Sequence, residues 1–168
     1  YWPNFNTHIP GNGKLVNLGE KKTIASLVKE DGFVILEQGQ PQQAIELLRP
    51  LCQETLQIGD RPLAAVCWLN LGLAHHLAGQ LEDARRSYGM AIHWAGVAVE
   101  GLDAKMFGAL AILELGHREQ AIQWLEDVRG VMGTGRYPIR DIMLRLCEAR
   151  IHAQNETGVV ADGGELLS

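Results

Sequence analysis

Three stretches of the chain begin with a glycine and share the same order of small and large apolar residues. They read GQPQQAIELLRPL from Gly39, GQLEDARRSYGMA from Gly79 and GHREQAIQWLEDV from Gly116, so the glycines are 40 and then 37 residues apart. In each stretch an alanine follows the glycine by five residues, and a large side chain follows the alanine by four. Repeats of this length are typical of chains that stack one supersecondary unit several times.

Each of these glycines is expected to end one helix and to open a tight turn into the next. Glycine adopts the left-handed backbone conformation just past a last helical turn at little cost, and Pro41 suits the first turn of the helix that follows. The alanine then lets two helices approach closely, and the large residue fills the space beside it. The residues concerned are Ala44, Ala84 and Ala121, followed by Leu48, Tyr88 and Leu125.

The middle copy, WLNLGLAHHLAGQLEDARRSYGMAI (68–92), resembles the tetratricopeptide repeat family in its longer form of 37 to 40 residues. It carries that family's W-x-x-L-G opening and its later small, aromatic and small residues. The resemblance covers residues 23–131, and the flanking copies are degenerate. It implies an all-α fold, a right-handed α-solenoid of three helical hairpins, that binds other proteins. In the flanking copies Val28 and Lys105 replace Trp68, and Asp31 and Gly108 replace Leu71.

Changes in composition along the chain predict an arm, a helical domain and a tail. Residues 1–19 are rich in Pro, Gly and Asn and predict an extended amino-terminal arm. Residues 20–154 are expected to form the helical repeat domain, and residues 155–168 a flexible tail. We expect helices over 20–37, 41–58, 62–78, 81–97, 102–115, 118–131 and 138–154.

The last of these helices is expected to cap the end of the stack. A terminal repeat must not leave its apolar side in water, so one face of this helix should pack on the preceding pair. Its apolar residues recur at helical spacing. They are Ile139, Ile142, Met143, Leu146, Ala149 and Ala153.

Composition and charge exclude several functional classes. The net charge of −5 and the isoelectric point near 5.7 disfavour a general nucleic-acid binder. The arginines near the carboxyl end do not overturn this, because Arg140, Arg145 and Arg150 scatter around their helix. No apolar run is long enough to span a membrane. Three cysteines without a C-x-x-C pair favour reduced thiols and a cytoplasmic location.

The sequence offers no positive sign of catalysis, of a metal site or of a bound cofactor. GVMGTGR from Gly130 resembles a phosphate-binding loop, but a helix precedes it where such a loop follows a strand. PGNGK from Pro10 has the wrong spacing and predicts a turn. His75 and His76 are adjacent, so they point about 100° apart on a helix and cannot hold one metal ion from one face.

The helix over residues 62–78 is apolar nearly all round and must be covered on both sides. Packing within the repeats accounts for the side that carries Trp68 and Leu71. In the family that the chain resembles, the other side lines a concave peptide groove, in which Asn70 would bind a ligand backbone. The alternative, that these residues form an ordinary core, stays open. The predicted groove residues are Lys29, Phe33, Leu36, Val66, Leu69, Asn70, Leu73, His76, Leu77, Met106, Phe107 and Leu110.

These observations predict a non-catalytic adaptor, assembly factor or regulatory scaffold that binds an apolar or amphipathic segment. Members of that family that bind a terminal carboxylate carry polar or basic groups at places that Phe33, Asp103 and Phe107 occupy here, so such a clamp is not expected. The arm itself is a candidate ligand, in cis or from a neighbouring copy, through Trp2, Phe5 and Ile9. The competing interpretation is a small-molecule sensor or an enzyme with a pocket inside the helical stack, lined by His76 and Asn70.

Overall fold

The computed structural model describes residues 16–17, 21–133 and 137–164. Within these ranges the protein is all-α apart from one short antiparallel strand pair, β1 (Val16–Asn17) and β2 (Lys21–Lys22). The described residues form seven helices. They are α1 (residues 24–37), α2 (Pro41–Gln57), α3 (Arg61–Leu77), α4 (Leu81–Ala95), α5 (Val99–Glu114), α6 (Arg118–Met132) and α7 (Pro138–Gly164).

Helix α1 begins later than the sequence predicts. Lys21 and Lys22 belong to β2, and the side chain of Thr23 accepts a hydrogen bond from the Ser26 N–H at 3.1 Å, which caps the helix. The helix combines an α-helical turn (Ile24–Ser26), a π-helical segment (Leu27–Asp31) and a second α-helical segment (Gly32–Glu37). Most of the predicted arm, including Trp2, Phe5 and Ile9, lies outside the described residues.

The three repeated glycines end helices as predicted. Gly39, Gly79 and Gly116 have φ of 70°, 75° and 87°, the left-handed region that residues with a Cβ avoid. After each one, the next N–H donates to the carbonyl five residues back, which satisfies an otherwise free helix-end acceptor. Gly59 makes a fourth turn of this kind, and Asp60 then caps α3 by accepting from the Leu63 N–H at 3.0 Å.

The alanines and the large residues of the repeat are buried, and in the first two copies the large residue faces a glycine of the preceding helix. Ala44, Ala84 and Ala121 are fully buried. Opposite the large residues, a Cβ on Gly32 would lie 2.8 Å from Cδ2 of Leu48, and one on Gly72 would lie 2.7 Å from Cδ1 of Tyr88. The same contact therefore recurs in the first two helix pairs.

The chain divides into two compact units, one ending at Ala104 and the other beginning at Lys105. In the first unit, α1 packs on α2, and α3 packs on both α2 and α4. Its central cluster draws on the inner faces of α1, α2 and α3. The cluster includes Ile24, Leu27, Val28, Ile45, Leu48, Leu51, Cys52, Val66, Cys67 and Leu71.

The second unit is held by its own core and by polar contacts between its helices. Arg129 on α6 makes a forked ion pair with Glu148 on α7, with Nη2 2.7 Å from Oε1. Arg118 donates to the Ile151 carbonyl at 3.0 Å. The buried side chains of this unit are Met106, Ala109, Ala111, Ile112, Leu113, Ala121, Leu125, Val128, Met132, Leu144, Cys147 and Ile151.

Helix α7 differs from its prediction in length and in orientation. It continues to Gly164, into the segment predicted to be a flexible tail. The face predicted to pack is exposed, with Ile139 at 74%, Ile142 at 60% and Leu146 at 66%. The helix instead buries Leu144, Cys147 and Ile151, which also recur at helical spacing.

Candidate functional site

The predicted groove residues fall into three groups when their exposure is compared. Five are buried: Leu36, Val66, Leu69, Asn70 and Met106. Five more are half-buried: Lys29, Leu73, His76, Phe107 and Leu110. Phe33 and Leu77 are exposed, at 50% and 63%.

Part of the predicted groove on α3 is buried inside the fold. Val66 and Asn70 lie beneath the neighbouring helices, because α3 is covered by α1 as well as by α2 and α4. The side-chain amide of Asn70 is already hydrogen-bonded within the protein, because its Nδ2 donates to the Val28 carbonyl at 3.0 Å. Burying a polar group costs free energy unless the group is hydrogen-bonded. The bond to Val28 therefore allows the Asn70 amide to be buried without a ligand.

Five predicted groove residues of the first unit remain exposed or half-buried. We call them the inner stripe: Lys29, Phe33, Leu73, His76 and Leu77. Two observations connect its parts. The hydrogen bond from Asn70 to Val28 joins α3 to the π-helical segment of α1, and the following segment of α1 also contacts α3. Leu73 packs against the core cluster beneath the stripe. Met106, Phe107 and Leu110 belong to the second unit.

The polar members of the inner stripe are positioned by the fold. His76 Nδ1 lies 3.3 Å from the hydroxyl of the buried Tyr88, and the two rings meet edge to face. Partial burial lowers the pKa of Lys29, while the nearby carboxylates of Asp60 and Glu100 oppose that shift. The stripe therefore offers one cation and one imidazole beside three large apolar side chains.

A separate open depression lies between α2, α3 and α4, with a volume of about 690 Å³. This volume falls within the range of about 300 to 1,000 Å³ that small-molecule sites occupy. Gly89 borders the depression, and a Cβ placed there would meet no atom within 4 Å. Other residues that line it are Arg49, Trp68, His75, Asp83, Arg86 and Met90.

Several polar groups around this depression already make hydrogen bonds or ion pairs with neighbouring residues. His75 Nδ1 lies 2.7 Å from Gln80 Oε1, as expected for a buried structural histidine. Arg86 and Asp83 form an exposed pair at 4.0 Å. The indole N–H of Trp68 is shielded from solvent and has no partner among the described residues. Asn70 and His76, predicted to line a pocket inside the stack, do not border this depression.

A smaller cavity of about 250 Å³ lies between α6 and α7 in the second unit. It is below the size that most ligand sites reach. Arg118, which borders it, is already bound to the Ile151 carbonyl. The arrangement is that of an imperfectly filled helix interface.

The three cysteines carry free thiols and are buried. The Sγ atoms of Cys52 and Cys67 lie 2.9 Å apart, joined as a thiol hydrogen bond between α2 and α3. Burial, reinforced by that hydrogen bond, raises the pKa of Cys67 well above its usual value. Burial also raises the pKa of Cys147 to about 11, with the Glu148 carboxylate adding to the effect. Buried thiols of this kind are poor nucleophiles.

Two properties of the described part of the chain bear on function. No group of three or more His, Cys, Asp or Glu there could hold a metal ion. None of the helices over the described ranges combines the length and apolarity needed to cross a membrane. In comparisons with known proteins, no family model and no curated protein matches the chain.

Proposed function

We propose that the protein is a non-catalytic interaction module, a short solenoid of tetratricopeptide-like hairpins that binds an apolar or amphipathic peptide on the inner stripe. One observation carries the proposal: Phe33 and Leu77 are 50% and 63% exposed on helices whose other large apolar side chains are mostly buried. Large apolar groups left in water beside a packed core are typical of a surface that another molecule covers.

The recurring turns support the solenoid part of the proposal. Three glycines with positive φ, separated by 40 and 37 residues, end helices with the same hydrogen bond. In the first two pairs, a Cβ placed on the glycine of one helix would lie at nearly the same distance from the large side chain of the next helix. A unit that repeats its turn and its internal contact can stack on itself.

The inner stripe favours a short, weakly held ligand. Full burial of a large apolar side chain contributes about 1.5 to 3 kcal/mol, and here three such side chains are already partly covered. Association costs about 4 kcal/mol or more. We therefore expect dissociation constants of micromolar or weaker, for a helix or an extended segment whose apolar groups meet Phe33, Leu73 and Leu77.

Selection from a displayed library of random peptides tests this function even though the natural partner is unidentified. We expect enrichment of peptides with large apolar residues at helical or alternate spacing. Their binding should fall at least about tenfold with Leu77→Glu. Val97→Glu is the matched control, because Val97 is 99% exposed in the turn after α4 and lies outside the stripe.

The competing function is small-molecule binding in the open depression. The observation that favours it is the empty space above Gly89. A metabolite library would then raise the melting temperature of the protein, and Gly89→Leu would remove that effect while leaving peptide binding on the inner stripe intact. Peptide enrichment that depends on Leu77, with no metabolite effect, favours the interaction module.

A further inference from the structure

Helix α7 carries a second apolar surface that no described residue covers. Ile139, Ile142 and Leu146 are 74%, 60% and 66% exposed, and Ala149 and Ala153 on the same face are exposed as well. We call these five residues the outer seam. Leu144, Cys147 and Ile151 anchor the opposite face of the helix in the core of the second unit. The outer seam is therefore held outward by packing on its far side.

The spacing of the outer seam specifies the kind of structure that fits it. Its members are separated by three, four, three and four residues, the alternation of the a and d positions of a heptad. Such a seam runs straight along a helix and receives the side chains of a second helix as knobs in holes. It extends over about 21 Å of the helix axis, from the rise of about 1.5 Å per residue. A sheet edge or an extended strand would not follow it.

The flanks of the outer seam carry basic residues and Met143, and no acidic residue stands at an e or g position between Ile139 and Ala153. Arg145 lies at a g position and is 72% exposed, even though its Nε is 3.0 Å from Asp141 on the same helix. Arg150 lies at an e position and is exposed, and His152 at the next g position is exposed too. The acidic Glu148 is turned away toward Arg129 on α6. In paired helices, charges at e and g select the partner and its orientation.

A second copy of the chain does not fit this pattern. In a parallel pair, the g position of one helix faces the following e position of its partner, which places Arg145 beside the other copy's Arg150. In an antiparallel pair, e faces e and g faces g, so Arg145 and Arg150 again meet no acidic residue. Like charges in such positions are destabilising.

We propose that the outer seam docks an amphipathic helix of another protein, with leucine or isoleucine along its seam and glutamate or aspartate on its flanks. The seam supplies the apolar contact, and Arg145 and Arg150 select the acidic partner. This surface lies in the second unit and is independent of the inner stripe.

The test uses the full chain and two labelled synthetic helices of about three heptads with leucine at a and d. One carries glutamate at e and g, and the other carries lysine there. We expect fluorescence anisotropy to show that the glutamate peptide binds at least about tenfold more tightly than the lysine peptide. Added salt should reduce this difference in affinity between the two peptides. Leu146→Glu abolishes binding of the glutamate peptide, whereas Val97→Glu leaves it unchanged.

A charge swap makes the test independent of folding. With Arg145→Glu and Arg150→Glu together, both at exposed positions, the preference reverses toward the lysine peptide. Circular dichroism confirms that each variant keeps its helical content. The proposal is overturned if the two peptides bind the unmodified chain equally, if the glutamate peptide does not bind, or if the swap leaves the preference as it was. A concentration-dependent dimer that Leu146→Glu disperses would overturn it too, since a second copy would then cover the seam.

Discussion

Gly32 and Gly72 determine how closely the first two helix pairs pack. Each sits where a Cβ would be 2.8 Å or 2.7 Å from the large side chain of the facing helix, Leu48 or Tyr88. Tyr88 is fully buried and its ring is held on the His76 side by an edge-to-face contact. Because protein interiors are close-packed, the Tyr88 ring cannot move away from an added Cβ without displacing its neighbours.

Gly72→Ala is therefore expected to lower the free energy of unfolding by about 1 to 3 kcal/mol, the usual cost of overpacking. Gly89→Ala is the matched control on the next helix, where the new methyl group meets no atom within 4 Å. It should raise stability by about 0.5 to 1 kcal/mol, because alanine is the better helix former. Urea unfolding followed by circular dichroism measures both changes. Equal effects of the two substitutions would contradict the packing account.

The raised pKa of the Cys147 thiol predicts that the protein loses stability at alkaline pH. Its thiol has a pKa of about 11 in the folded protein and an ordinary value of 9.0. Between these values the unfolded chain releases the thiol proton while the folded protein retains it, so the contribution is fully present below pH 9 and is lost as pH rises toward 11. A difference of two pKa units corresponds to about 2 to 3 kcal/mol. The melting temperature of the unmodified protein should thus fall across this window by roughly 5 to 10 °C more than that of Cys147→Ala. Parallel curves for the two proteins would show that Cys147 does not carry the effect.

At the scale of the helices, the boundaries follow from local signals that the sequence makes plain. Glycines with positive φ end α1, α3 and α5, and Asp60 caps the start of α3. Which face of a helix is buried depends on distant partners. Both faces of α7 have helical spacing, and the contacts of Glu148 and Ile151 with α6 decide between them. In α3, apolar residues lie on nearly every side of the helix, so their spacing does not show which side neighbouring helices cover.

Asn70 shows what such a distant contact contributes. Its amide joins α3 to the Val28 carbonyl in the π-helical segment of α1, and both residues are buried. Asn70→Ala would leave that carbonyl without this donor. We expect a loss of about 1 to 3 kcal/mol in the free energy of unfolding. Chemical denaturation measures the loss, and an unchanged midpoint would show that the bond does not hold the two helices together.

At the scale of the whole molecule, the described helices leave two apolar surfaces in water, one in each compact unit. The inner stripe is the exposed remainder of a larger predicted groove, and the outer seam lies on a face that periodicity predicts to be packed. Sequence periodicity locates the apolar residues of both surfaces. Their exposure could not be read from the sequence, since it depends on how many neighbouring helices cover each face. An interaction module, with separate surfaces for separate partners, accounts for both.

The most direct test of the central claim is the dissociation constant of one library-selected peptide, measured by isothermal titration calorimetry. The same peptide is titrated into the unmodified chain, Leu77→Glu and Val97→Glu. If the inner stripe binds polypeptide, Leu77→Glu weakens binding by at least about tenfold, or about 1.4 kcal/mol, while Val97→Glu leaves the constant unchanged. A peptide that binds all three proteins with the same affinity would contradict the claim.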